Sequence, residues 1–236
     1  MLSFKQKATN ACLSFKLSNF ILMKIAILGT GMVGVSIGTK LIELGHQVKM
    51  GSRTADNPKA REWADAYGPY ASQGTFADAA AFAEIVFNCT HGQSSLDALN
   101  LAGKENLEGK TLVDVAIPLD FSKGMPPSLT ICNTDSLGET IQRAFPDAKV
   151  VKTLNTLNCQ LMVNPKLLKS DSSVFMSGND ANAKEEVSNL LKDFGWNEII
   201  DLGDITTARG TEQLLPIWVR LMGALGTPMF NFKIAR

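Results

Sequence analysis

Lys24-Ile25-Ala26-Ile27-Leu28-Gly29-Thr30-Gly31-Met32-Val33-Gly34-Val35-Ser36-Ile37-Gly38 is the stretch whose reading decides the fold. The run before Gly29 is short, apolar and rich in β-branched residues, which predicts a buried parallel strand. The spacing after Gly34 is that of an amphipathic helix. Gly29-x-Gly31-x-x-Gly34 joins the two, the context in which this glycine pattern signals dinucleotide binding. Gly29 then allows the tight turn, Gly31 lets a diphosphate approach the backbone, and Gly34 lets the helix lie close on the sheet. The helix start supplies free N–H groups and the positive end of a dipole.

Working outward, Gln47-Val48-Lys49-Met50 predicts the second strand. An acidic residue at its end would accept the ribose 2′-hydroxyl of NAD, but the chain reads Gly51-Ser52-Arg53-Thr54. Ser52 can donate a hydrogen bond and Arg53 can pair with a 2′-phosphate, so the cofactor expected is NADP. Further strands are predicted at Ile85 to Cys89, Thr111 to Val115 and Val150 to Leu154, with helices at Asn57 to Tyr67, Thr75 to Ala83 and Asp135 to Phe145. Ser136 and Glu139 have capping-box spacing.

Ligands of such sheets lie beyond the carboxyl ends of the strands, which places Cys89, Thr90 and His91 at the cofactor pocket and turns Ala116 and Ile117 at the same edge. Cofactor contact is the expected role of His91, with general-acid chemistry as the sharper alternative. No residue is assigned as catalytic.

The fold class expected is α/β, a Rossmann-type doubly wound parallel sheet with a small C-terminal helical region. Residues 23–160 form the nucleotide-binding domain and 161–236 an α/β extension. The extension ends in a long apolar helix from Thr206 to Leu225, in which Pro216 makes a kink and Arg209 pairs with Glu212. That helix is expected to pack under the nucleotide domain or against a second subunit, not to cross a membrane, because Pro216 and Arg220 interrupt it. Residues 1–22 carry only lysine charges and no long apolar core, and are expected to be a disordered extension before Met23.

The chain has 236 residues with 23 basic and 23 acidic side chains, so no overall charge draws it to nucleic acid or anionic membrane. Four scattered cysteines and two histidines have no metal-ligand spacing, and reduced thiols in the cytoplasm are expected.

Several stretches resemble the coenzyme F420-dependent NADP oxidoreductases: Lys24 to Gly34, Gly51-Ser52-Arg53, Val151 to Thr156, Ser177-Gly178-Asn179-Asp180 and Arg209-x-x-Glu212-x-Leu214-x-Pro216. The resemblance covers nearly everything from Met23 onward. It implies hydride transfer between NADPH and a flavin-like or deazaflavin (F420) acceptor, a small-molecule redox partner, and often a homodimer. It also implies that Thr30, Met32 and Val33 contact the phosphates, that Ser52 and Arg53 contact the 2′-phosphate, and that Thr90, Ile117 and Asn155 lie near the nicotinamide. Two positions depart from archaeal members: His91 replaces a proline and Asn155 a histidine. Two other functions are carried alongside: reduction of a small imine or ketone, with His91 as proton donor, and a non-catalytic NADPH sensor.

Overall fold

The computed structural model describes residues 22–236. The expected N-terminal extension therefore lies, apart from Leu22, outside the described residues. The strands are β1 (Lys24–Leu28), β2 (Gln47–Ser52), β3 (Ala71–Thr75), β4 (Ile85–Asn88), β5 (Thr111–Asp114), β6 (Leu119–Asp120), β7 (Ser128–Leu129), β8 (Lys149–Thr153), β9 (Ser173–Gly178) and β10 (Glu198–Asp201). The helices are α1 (Met32–Glu43), α2 (Pro58–Tyr67), α3 (Phe76–Phe82), α4 (Ser95–Ala102), α5 (Lys104–Leu107), α6 (Leu137–Ala144), α7 (Cys159–Val163), α8 (Ala181–Phe194), α9 (Ala208–Gln213) and α10 (Leu215–Leu225).

Eight strands form one sheet in the order β10-β9-β8-β5-β4-β1-β2-β3, and β6 pairs with β7 in a small separate hairpin. The order reverses at β1, with β2 on one side and β4 on the other, which creates a crevice at the carboxyl ends of these strands. Every pairing in the large sheet is parallel except β8 with β9, which run antiparallel. The doubly wound α/β expectation holds, and β9 and β10 extend the same sheet.

Two apolar layers cover the sheet. Ile25 and Ile27 of β1 face one layer with Ile37 and Leu41 of α1, and Ala26 and Leu28 face the other with Ala79 and Ala80 of α3. Alternation along one fully buried strand thus feeds both cores, which is why β1 reads as a continuous apolar run. Burying side chains of this size contributes about 1.5–3 kcal/mol each for the larger ones.

Helix starts explain several boundaries. Asn57 accepts hydrogen bonds from the amides of Lys59 and Ala60, and Pro58 takes the first helical position, so α2 begins where the sequence predicts. Thr75 and Asp78 form a reciprocal capping box at α3.

Four expectations, one at α6 and three in the C-terminal part, are corrected. Ser136 accepts from the Glu139 amide, but the Ser136 amide goes to Asp135, so the box at α6 is only half formed. The Glu139 carboxylate instead accepts from Arg209 and Ser136 Oγ. Arg209 consequently does not pair with Glu212, whose carboxylate turns inward. The expected long helix is two, α9 and α10, divided at Leu214. Pro216 sits in the first turn of α10, where a missing N–H costs nothing, so it starts a helix rather than kinking one.

Candidate functional site

A cleft of about 320 Å³ opens at the sheet's carboxyl edge. Gly29, Thr30, Gly31, Ser52, Arg53, Cys89, Thr90 and His91 all line it, together with Asn57, Phe76, Ser94, Asp97, Ala98 and Leu101, which the sequence reading did not single out. Of the remaining expected contacts, Gly34 lies beneath the turn, Met32 projects into solvent at 79% exposure, and Val33 packs beside the core. Ala116 and Asn155 are buried and Ile117 half-buried, none of them in the cleft lining.

The three fingerprint glycines answer to different neighbours. Gly29 has φ +120°, and a Cβ there would come within 2.6 Å of the Cys89 carbonyl oxygen. A Cβ on Gly34 would run into the Gly29 carbonyl oxygen and lie 3.1 Å from Ile27. Both are therefore required by the fold itself. Gly31 is not: a Cβ would meet nothing within 4 Å, so its freedom serves whatever enters the cleft.

Gly31 is also the N-cap of α1, with no side chain capping it and no acidic residue in the first turn. By contrast, Asn57 closes the neighbouring start of α2 with its own carbonyl. One helix start at the cleft is satisfied internally; the other leaves its amides and positive dipole end for an anion. Ser52 is buried and donates to the Thr54 carbonyl at 2.5 Å, which shapes the turn that presents exposed Arg53. No carboxylate stands among Gly51–Thr54, and the nearest in the chain is Asp56.

At the other end the wall is polar and buried. Thr90 Oγ1 donates to Asn88 Oδ1 at 2.6 Å, and Thr90 N donates to the same atom at 3.3 Å. Asn88 Nδ2 donates to Asp114 Oδ1 at 2.8 Å and to Ser95 Oγ at 3.1 Å. Asp114 also accepts from the Ala116 amide, and its second oxygen pairs with Lys152 Nζ at 2.8 Å. Lys152 further donates to the Ala116 carbonyl and pairs with Glu212 at 2.9 Å. Glu212 accepts from the amides of Leu137 and Gly138 at 2.8 and 3.0 Å, at the start of α6.

The side chains of Asp114, Lys152 and Glu212 are at most 1% exposed. Burial opposes the Lys152 charge, but the carboxylates of Asp114 and Glu212 outweigh it and hold its pKa above the ordinary lysine value. The two carboxylates exceed the one ammonium, and the backbone amides and the α6 dipole offset the surplus negative charge. Two signals in the sequence pointed here: a lysine inside the apolar run Val150-Val151-Lys152-Thr153, and an aspartate closing Thr111-Leu112-Val113-Asp114.

Three further features bear on chemistry. Burial, aided by the Asp114 charge, pushes the Cys89 thiol far up, so it stays protonated and is no nucleophile. The His91 ring lies 6.4 Å from that of half-exposed Phe121, tilted by 43°. Asn155 is buried with Nδ2 unpartnered, directly after Leu154, which adopts a left-handed backbone (φ 61°). Among the described residues no group of acids, cysteines and histidines is placed to hold a metal, and no helix is long and apolar enough to cross a membrane.

Known proteins share this architecture. Residues 24–118 match the family model described as NADP oxidoreductase, coenzyme F420-dependent. The chain is 30% identical over 210 residues to metalloreductase STEAP3 of Rattus norvegicus, covering 86% of this chain but only 39% of that protein. It is 28% identical to the F420-dependent NADP reductase of Methanocaldococcus jannaschii, covering 84% of this chain and 92% of that one. A crystal structure from Arthrobacter sp. FB24, named provisionally as an F420-dependent NADP-reductase, is 58% identical with a TM-score of 0.86, covering 91% of this chain and all of the other. With the glycine turn, the open helix start and this degree of identity together, the chain belongs to the coenzyme F420-dependent NADP oxidoreductase family.

Proposed function

We propose that this chain, an NADP-dependent oxidoreductase, binds NADP(H) in the carboxyl-edge cleft and exchanges a hydride with a flavin-like or deazaflavin acceptor. The observation that carries the reading is the pairing of Gly31, whose missing Cβ the fold does not require, with the uncapped start of α1 beside it. Gly29, Thr30, Gly31, Met32, Val33 and Gly34 would hold the diphosphate. Arg53 would hold the 2′-phosphate, where an NAD-binding acid is missing, and Ser52, whose hydroxyl donates to the Thr54 carbonyl, would do so by fixing the turn that presents Arg53. Cys89, Thr90, His91, Ala116, Ile117 and Asn155 would form the nicotinamide end, and the unpartnered Nδ2 of Asn155 is a donor in need of an acceptor.

NADPH, when bound, supplies the hydride. The chain's task is then to position it and exclude water, with little proton transfer of its own. The half-exposed ring of Phe121 beside His91 offers an apolar face to a planar acceptor. In this reading residues 23–160 carry the nucleotide and 161–236 buttress them. The protein works as a cytoplasmic homodimer through the partly uncovered apolar face of α10, including Ile217 and Leu225. Sedimentation velocity tests that assembly.

His91 in the cleft lining keeps a second reading, reduction of an imine or ketone. The deciding experiment mixes NADPH-loaded protein with F420, FMN or a cyclic imine and follows loss of the reduced nicotinamide absorbance. Rapid oxidation by F420 or FMN supports the first reading, and oxidation by the imine alone supports the second. No oxidation by any of them, with NADPH still bound, would favour a sensor.

A further inference from the structure

We propose that Lys152 is a positioning residue for the nicotinamide half of the cleft, fixing the orientation of Thr90 and of the Ala116 backbone from a distance. The inference rests on the nucleotide-binding reading above and concerns residues that touch no ligand themselves.

The argument begins with cost. A fully buried ion triad is rarely the most stable way to fill a core, since apolar residues of similar volume do as well or better. What it does provide is direction. Lys152 is donor only, and it grips Asp114 Oδ2 and the Ala116 carbonyl at once, one on each side of Val115. Asp114 takes Lys152 on Oδ2 and accepts from the Ala116 amide on Oδ1, so Oδ1 faces Asn88 as an acceptor and the Asn88 amide turns Nδ2 towards it. Asn88 Oδ1 is thereby left for Thr90, whose hydroxyl and N–H both donate to it.

Ser95 completes the arrangement. Its hydroxyl accepts from Asn88 Nδ2 and lies 3.0 Å from Thr90 Oγ1, which has already committed its proton. The Ser95 proton then has two acceptors within reach, Thr90 Oγ1 at 3.0 Å and the His91 carbonyl at 3.4 Å, and with either one Thr90 offers only lone pairs to the cleft. The charge on Lys152 thus decides, three hydrogen bonds away, that Thr90 presents an acceptor to a ligand. The same ammonium holds Glu212 of α9, so the wall of the cleft is tied to the C-terminal segment.

Nothing in this relay reaches Arg53 or Gly31. Two probes separate the halves: NADP⁺, which fills the whole cleft, and adenosine 2′,5′-bisphosphate, which fills only the adenosine end. Calorimetric titration of Lys152→Met should show about tenfold weaker NADP⁺, the loss of one oriented hydrogen bond, with the bisphosphate within about twofold of wild type. Parallel weakening of both probes, or no change in either, would overturn the proposal.

If Lys152→Met does not fold, Asn88→Ala decides. It cuts the relay at its middle link while leaving the Lys152–Asp114 pair in place, and should give the same split, whereas affinities for both probes equal to wild type would again overturn the proposal. Wild-type protein that binds neither probe would instead refute the nucleotide reading and the relay with it.

Discussion

At one end of the cleft, residues 29–34, 52 and 53 come from two adjacent strands and their turns, and their geometry is set by backbone: a positive φ at Gly29, an uncapped helix start at Gly31 and a tight turn after Ser52. At the other, Thr90 in the lining and the buried Ala116 outside it hang on Asn88, Asp114, Lys152 and Glu212, side chains from β4, β5, β8 and α9. The first end is open to water and built from local conformation. The second is backed by buried side chains and built from charge complementarity over more than a hundred residues of sequence. One cleft can therefore have a half whose fold requires glycine at two positions and another that depends on a complete set of buried partners.

The largest effect is expected where the second end is broken. Glu212→Leu leaves the α6 amides without their acceptor and strips Lys152 of one carboxylate, and should cost about 3–5 kcal/mol in urea unfolding. A loss under about 1 kcal/mol would mean the triad is no keystone. Next comes Gly34→Ala, whose methyl must displace the Gly29 carbonyl, a backbone atom that cannot rotate away. Unfolding should become easier by about 1–3 kcal/mol, with nucleotide affinity falling in step.

Gly31→Ala sharpens the contrast. Stability should stay within about 0.5 kcal/mol, because the helix-cap preference for glycine and the reduced freedom of the unfolded chain act in opposite directions. NADP⁺ affinity should nevertheless fall at least about tenfold, as the methyl stands where the diphosphate approaches. Equal affinity in this variant would remove the main support for the site. Arg53→Ala should weaken NADP⁺ by about tenfold and leave NAD⁺ unchanged, and calorimetry with both separates a 2′-phosphate contact from general attraction.

The smallest effect lies away from both ends, at the opposite rim of the sheet. His46 is buried, its Nδ1 accepts from the Met23 amide, and its Nε2 has no partner. Burial lowers its pKa below 6.5, partly opposed by the charge of Glu84. The unfolded chain therefore takes up a proton first as pH falls. Stability should be complete above pH 6.5 and decline below it towards the folded-state pKa. Urea midpoints across the mildly acidic range should slope in wild type and flatten in His46→Gln, while cleft affinity at neutral pH is untouched.

Legibility in the sequence follows the same division. The β1 turn, the turn at Ser52 and Arg53, and the placement of Cys89, Thr90 and His91 at a strand end all rest on residues that are neighbours in the chain. Helix α4, which with its N-cap Ser94 supplies Asp97, Ala98 and Leu101 to the cleft lining, has no clear signal in the sequence, because Ser95–Ala102 is short and follows directly on a tight turn. Arg209 and Glu212 show how local spacing can mislead. Three residues apart, they suit a helical pair, yet each found a better partner elsewhere: Arg209 the Glu139 carboxylate, and Glu212 a buried ammonium and two helix amides.

By itself the sequence determined the α/β class, the glycine turn and the presence of Ser52 and Arg53 at the crevice, since these depend on hydrophobic period, on which residues can adopt a positive φ and on where the second strand ends. Only the tertiary structure decided that Lys152 in an apolar strand is paired rather than misplaced, that β9 joins the sheet antiparallel, and that Pro216 opens a helix instead of bending one. The physical reason is that the partners of a buried charge are set by whichever elements packing brings within a few ångströms, and no local pattern in the chain records that choice.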